Sequence, residues 1–261
     1  MIRILIVLSF VFSLVSAAVA SELTVDIKSA IQSKYMWRGV RVSNEPVMQN
    51  EVMIKKGMFE LSLFGNMDLT DERGNEGDFT EMYLTAGINK KIMSGVGFVK
   101  GVNFLAGMTS FNYPNTDSIS PVFDESTVEL YTGVDVEVPY GVHSKTMFNL
   151  DVDEVGGAYV SQDFFKDFGL ARFSLLGNAC TLVARPEVGA GWGSQDYNDY
   201  YFDADSNGIS NWHTGLSLKV VSERFEFGPY VNYTELWNDD IRDNVRDDNQ
   251  LMVGFGAGYR F

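Results

Sequence analysis

The last twelve residues, from Gln250 to Phe261, constrain the fold more than any other stretch of the chain. Leu251, Val253, Phe255, Ala257, Tyr259 and Phe261 fall on one face of an extended strand. Met252, Gly254, Gly256, Gly258 and Arg260 fall on the other. Side chains on a strand alternate between faces, so one face suits hydrocarbon and the other a crowded or watery lumen. In a soluble sheet the same strand would turn six apolar side chains to water.

The same period runs through the chain. In residues 24–38, Val25, Ile27, Ile31, Tyr35 and Trp37 share a face and Asp26, Lys28, Gln32, Lys34 and Arg38 share the other. Phe59, Leu61, Leu63 and Met67 oppose Glu60, Ser62, Asn66 and Asp68, and Met82 and Leu84 oppose Glu81 and Tyr83. Val128, Leu130 and Val134 oppose Glu129 and Asp135, and Phe148, Leu150 and Val152 oppose Asn149, Asp151 and Asp153. Leu182, Val188 and Trp192 oppose Arg185 and Glu187, while Trp212, Leu216 and Leu218 oppose His213, Ser217 and Lys219. Segments of about 10 residues alternating in this way are the signature of a transmembrane β-barrel. The expected fold is all-β: a single closed antiparallel barrel of 12 strands over residues 21–261, with both termini periplasmic. Ten or 14 strands are the alternatives, because Phe164–Phe168 breaks the alternation; the count of 12 merges 171–177 into a long strand that begins near Ala158. A β-sandwich is the soluble alternative.

Connection lengths alternate as well. Lys55-Lys56-Gly57, Pro139-Tyr140-Gly141 and Ser222-Glu223 are short, whereas 70–78, 112–125, 193–210 and 238–249 are long and polar. Short periplasmic turns and long extracellular loops are the rule in such barrels. On this register Trp37, Trp192, Trp212 and Trp237 gather at the outer membrane interface, where amphipathic rings sit. Tyr259 and Phe261 anchor the periplasmic rim. A C-terminal Phe after aromatics at every second position resembles the signal by which bacterial outer-membrane barrels are assembled, so the assembly machinery is an expected partner, with the bilayer and lipopolysaccharide.

Arg3, an apolar run from Ile4 to Val15, and Ala18-Val19-Ala20 before Ser21 form a secretory signal peptide, with cleavage expected after Ala20. The run is shorter than the ~20 apolar residues of a membrane helix. The expected location is the outer membrane of a Gram-negative envelope. The formal net charge of −15 argues against nucleic acid as a partner, and the lone Cys180 excludes an internal disulfide.

Ser33-Lys34-Tyr35-Met36-Trp37-Arg38-Gly39-Val40 resembles the opening motif of the TorF-type porins, an aromatic followed shortly by Arg-Gly. Leu150–Glu154 followed by Gly156-Gly157-Ala158-Tyr159, and the Tyr259-Arg260-Phe261 terminus, are similar to that family too. The resemblance implies an outer-membrane barrel acting as a pore, and it implies no particular substrate.

Arg38 is the leading candidate for a functional side chain. One reading makes it a constriction cation that meets permeating anions; the other makes it a structural Arg paired with Asp68 or Glu81. Further lumen candidates are Lys34, Glu129, Asp151, Asp153, Arg185, Glu187 and Arg260. The inward charges carry a modest acidic excess, which fits either a mild cation preference or a salt-bridged plug. Asp203-Ala-Asp205-Ser-Asn207-Gly208 matches the first half of a calcium loop, but Thr214 stands where the bidentate Glu belongs. With His143 and His213 the only histidines, no catalytic constellation stands out and no cofactor is expected. The expected function is passive diffusion of small polar solutes or ions; a non-conducting, surface-interacting barrel is the competing expectation.

Overall fold

The computed structural model describes residues 23–70, 76–114, 126–245 and 247–261; the expected signal peptide lies outside them. The described residues form fifteen strands, beginning with β1 (Leu23–Gln32), β2 (Tyr35–Trp37), β3 (Val40–Ser43), β4 (Val47–Lys56), β5 (Phe59–Asp68), β6 (Phe79–Val96), β7 (Val99–Asn112) and β8 (Thr127–Val138). They continue with β9 (Val142–Asp151), β10 (Ala158–Lys166), β11 (Phe168–Leu175), β12 (Asn178–Gly193), β13 (Gly208–Val221), β14 (Phe225–Leu236) and β15 (Asn249–Arg260).

Every neighbour in the wall is antiparallel, and β1 closes the sheet by pairing with both β4 and β15. The terminal strand therefore has no free edge, with Asp26 opposite Arg260 and Ile31 opposite Phe255. β10 and β11 are two parts of one strand, since both lie against β12. Counted so, the wall is a closed barrel of 12 strands. Asp167 lies between the two parts, and its carboxylate accepts from Arg185 at 2.5 and 2.7 Å. The merged strand expected from Ala158 onward is thus present, with a break at the irregular Phe164–Phe168 stretch.

The outer face is apolar, as alternation requires. Ile27, Ile31, Leu63, Leu130, Phe148, Val188, Leu216, Val253 and Phe255 are all exposed on it. The two-residue turn Gly57-Met58, the Pro139–Gly141 turn and the other tight connections fall at one end, here the turn end. The longer connections fall at the other, the loop end. Among the described residues no helix is long and apolar enough to cross a membrane.

One expectation fails at the loop end. Residues 24–38 do not form one strand: the chain leaves the wall at Ser33, whose backbone N–H donates to the Val253 carbonyl at 2.9 Å. It then folds back as the separate β2–β3 hairpin. Arg38 (φ 47°) and Gly39 (φ 87°) are its two turn residues, and positive φ at both positions is what a tight hairpin of the type I′ class demands. The loops also carry two short helices, α1 (Gln195–Phe202) and α2 (Asp239–Asn244). Ser194 and Asn238 start them by accepting backbone N–H groups of Tyr197 and Asp240.

Candidate functional site

The β2–β3 hairpin, α1 and α2 cap the loop end of the lumen. Tyr35, Val40, Val42, Val47, Tyr197, Tyr201, Phe202, Leu236 and Ile241 form one buried apolar cluster there. Val47 and Ile241 are fully buried, and Tyr197 is 1% exposed. Burial pushes the Tyr197 hydroxyl pKa well up. The hairpin is thus seated by hydrophobic burial and not only by its turn.

One ion pair fixes the hairpin tip. Arg38 donates Nη1 and Nη2 to the two oxygens of Glu129 on β8, at 2.7 and 2.8 Å. The pair spans the barrel, because β8 lies five places from β1 around the wall. The guanidinium is sandwiched as well, 4.5 Å from the Trp37 ring and 4.9 Å from the Tyr159 ring. A planar, forked cation suits this seat in a way an ammonium does not. Gly39 is required there twice: by its φ, and because a Cβ would come within 2.9 Å of Asn211.

Beside the latch, Tyr35 and Tyr83 share a hydrogen bond of 2.9 Å, and Tyr83 donates to the buried Glu81 carboxylate. Asp68 is buried on the neighbouring strand. The partner of Arg38 is therefore Glu129, and neither Asp68 nor Glu81. Asp151 turns out to organise a loop: it accepts from Thr127 Oγ1 at 2.6 Å and from the backbone N–H groups of Asp153, Val155 and Gly156. Asp153 lies beyond β9 and is exposed instead of facing the lumen. Lys34 donates to Gln250 at 2.7 Å.

Below the cap, adjoining cavities follow one another down the lumen. One of about 370 Å³ lies under the hairpin, between Arg38, Tyr159, Asp163 and His213. A second of about 450 Å³ shares Asp163 and His213 with the first. A third of about 340 Å³ shares Arg185 and Glu187 with the second, and Lys28, Glu51 and Tyr230 also line it. Their walls mix polar and apolar side chains and carry both signs of charge. His213 Nε2 lies 3.1 Å from Asp163 Oδ1, and His143 Nδ1 lies 2.9 Å from Asp135 Oδ1. Toward the turn end Lys219 meets Glu226 at 3.4 Å, and Arg260 meets Asp26 at 2.7 Å.

The Asp163–His213 contact joins β10 to β13 over the top of β12. Gly189 makes the crossing possible, since a Cβ there would fall on the Asp163 carboxylate and the His213 ring. Gly191 does the same for Tyr159 and Asn211, whose hydrogen bond of 3.1 Å takes the same route. Sequence reasoning missed both contacts. The alternate glycines of Gly189-Ala-Gly191-Trp-Gly193 were the available signal, a bare track on the lumen face.

The interface residues divide. Trp37 is not at a membrane interface: it packs inside, 6.0 Å from the Phe111 ring and 5.2 Å from the Tyr201 ring. Its strand parity was continued past Ser33, where the wall had already ended. Trp192, Trp237, Tyr259 and Phe261 are exposed on the molecule, while Trp212 is half-buried, 5.4 Å from Tyr233. The calcium-like segment is used differently. Asp203 is the left-handed C-cap of α1, Asp205 accepts from Gln195, and Asn207 is exposed. Among the described residues no group of three or more His, Cys, Asp or Glu is placed to hold a metal.

The family model described as MltA-interacting protein MipA matches residues 75–261. The chain belongs to the MipA family. That match covers β6 through β15 and so most of the wall, whereas the TorF-type resemblance rests on its short motifs alone. No curated protein sequence matches the chain. Among solved structures, the KdgM porin in complex with disordered oligogalacturonate is similar at 10% identity over 91% of this chain and 99% of that one, with a TM-score of 0.49. The β domain of the Bordetella autotransporter BrkA is similar at 14% identity over 93% and 99%, TM-score 0.47. The COG4313 outer-membrane channel from Pseudomonas putida F1 follows at 10% identity over 94% and 97%, TM-score 0.46.

Proposed function

We propose that this chain is a porin-like barrel of the bacterial outer membrane that passes small polar solutes or ions, with the cap as its gate. The observation that carries this reading is the run of adjoining cavities, lined by both signs of charge, that ends under the Arg38–Glu129 latch. The mechanism is diffusion through a lumen lined by both signs of charge, after the β2–β3 hairpin releases Glu129. No cofactor and no catalytic group is called for. The signal peptide delivers the chain, the C-terminal strand engages the assembly machinery, the loop end faces out, and its acidic residues meet lipopolysaccharide through divalent ions.

Solute efflux from liposomes tests the proposal. The intact barrel should leak slowly, and deletion of the β2–β3 hairpin should release small sugars and salts far faster. Equal, negligible efflux from both would overturn it.

A second reading is favoured by one observation, that the cap is packed as an apolar core and not as a loose loop. It makes the barrel a non-conducting platform. The family's description as MltA-interacting protein supports that reading. Under it, hairpin deletion changes partner binding and leaves efflux untouched.

A further inference from the structure

The turn end carries a strand edge that the rest of the wall does not cover. β9 begins at Val142, opposite Lys166, and β8 stops at Val138. Below that level β11 has β12 on one side and, among the described residues, no strand on the other. A bulge at Leu170 leaves Ala171–Leu175 as the regular part of this edge. Unpaired backbone N–H and C=O groups along a strand are a template for one more strand.

This edge lies outside the apolar band. A strand tilted about 40° advances roughly 2.5 Å per residue along the barrel axis, so a band of about 25 Å spans about ten residues. Counting down β12 from Trp192, that band ends near Leu182, and Ala171–Leu175 pair with Leu182 through Asn178. The edge is therefore at or beyond the lipid boundary, within reach of a soluble partner.

Its surroundings are apolar and basic. The neighbouring turn tips present Phe98, Tyr140 and Leu176, which are 83%, 88% and 90% exposed. Lys166 precedes the edge and Arg172 lies within it, and the carboxylate next to Lys166 in sequence, Asp167, is already bound to Arg185. The loop end is acidic by contrast, as Asp196–Asp205 and Asp239–Asp248 show.

We infer that β11 is a docking edge for an extended, acidic polypeptide segment of a partner protein, which adds as a strand beside Ala171–Leu175. Backbone pairing supplies the fit and the basic side chains select the charge. This site is independent of conduction and holds whether or not the lumen opens; if the loop end faces out, the partner is periplasmic.

Hydrogen-exchange mass spectrometry on the full barrel in nanodiscs tests it, with a synthetic peptide of alternating threonine and valine ending in glutamates as the probe. Saturable binding should slow exchange in the Ala171–Leu175 segment, and a lysine-ended peptide should not bind. A Lys166→Glu/Arg172→Glu variant should weaken the acidic peptide by about tenfold and admit the lysine-ended one. Binding without slowed exchange in β11 would show charge adsorption and overturn the proposal. So would equal protection by anionic lipid vesicles, which would make the edge a membrane contact, or the absence of saturable binding to the unmodified barrel.

Discussion

The two halves of the lumen are built on different principles. Near the loops, Tyr35, Val42, Val47, Tyr197 and Ile241 pack as the interior of a soluble domain packs, around one bidentate ion pair. Toward the turns, charged side chains stand around cavities, and their pairs are long or half-exposed: Lys219–Glu226 at 3.4 Å, Lys55–Glu60 at 3.6 Å. The wall is the same antiparallel ladder in both halves. What differs is whether chain outside the wall returns into the lumen. Among the described residues it returns at the loop end alone, as β2–β3, and the charges it meets become structural.

The sharpest way to break this comparison is at the latch. Arg38→Ala leaves Glu129 buried without its cation and should cost the cap about 3–5 kcal/mol, read as faster exchange of residues 35–43 while the barrel itself stays folded. Replacing both partners by apolar residues of similar size should restore most of that protection, because no charge is then left bare. Next comes Ile241→Ala, expected to cost about 2–4 kcal/mol through an unfilled space in the same cluster, by the same readout. Gly189→Ala follows: a methyl there pushes Asp163 and His213 apart, for about 1–3 kcal/mol in denaturant unfolding and a shifted His213 imidazole resonance. The smallest effect belongs to the turn half. Lys219→Ala should change stability by less than about 1 kcal/mol, since both partners of that pair are about one-third exposed. A large effect there would erase the distinction between the halves.

The wall was legible in the sequence and the cap was not. A strand buried between lipid and lumen must alternate, so Leu63 out and Ser62 in could be read from spacing alone, as could the face of the terminal strand. Tyr35 and Trp37 keep the parity of β1, so nothing in the period marks Ser33 as the exit from the wall. The turn chemistry of Arg38-Gly39, with three extended residues before it and four after, was the local clue to a hairpin. Its partner Glu129 is 91 residues away, and no local pattern names it. The Asp163–His213 contact was hidden for a related reason: it joins strands that are not neighbours, over a glycine that reads by itself as mere absence of bulk. The acidic loops read as solvated charge, yet Ile241 and Tyr197 within them are core residues of the cap.

The central claim is that the lumen is a continuous path closed by the cap alone. Single-channel recording in planar bilayers tests it most directly, comparing the intact barrel with Arg38→Ala and with the β2–β3 deletion. The account predicts long closed periods for the intact barrel, frequent steps for Arg38→Ala, and steady open current for the deletion. A barrel that stays silent after the hairpin is removed, or one that conducts steadily with the latch intact, would contradict it.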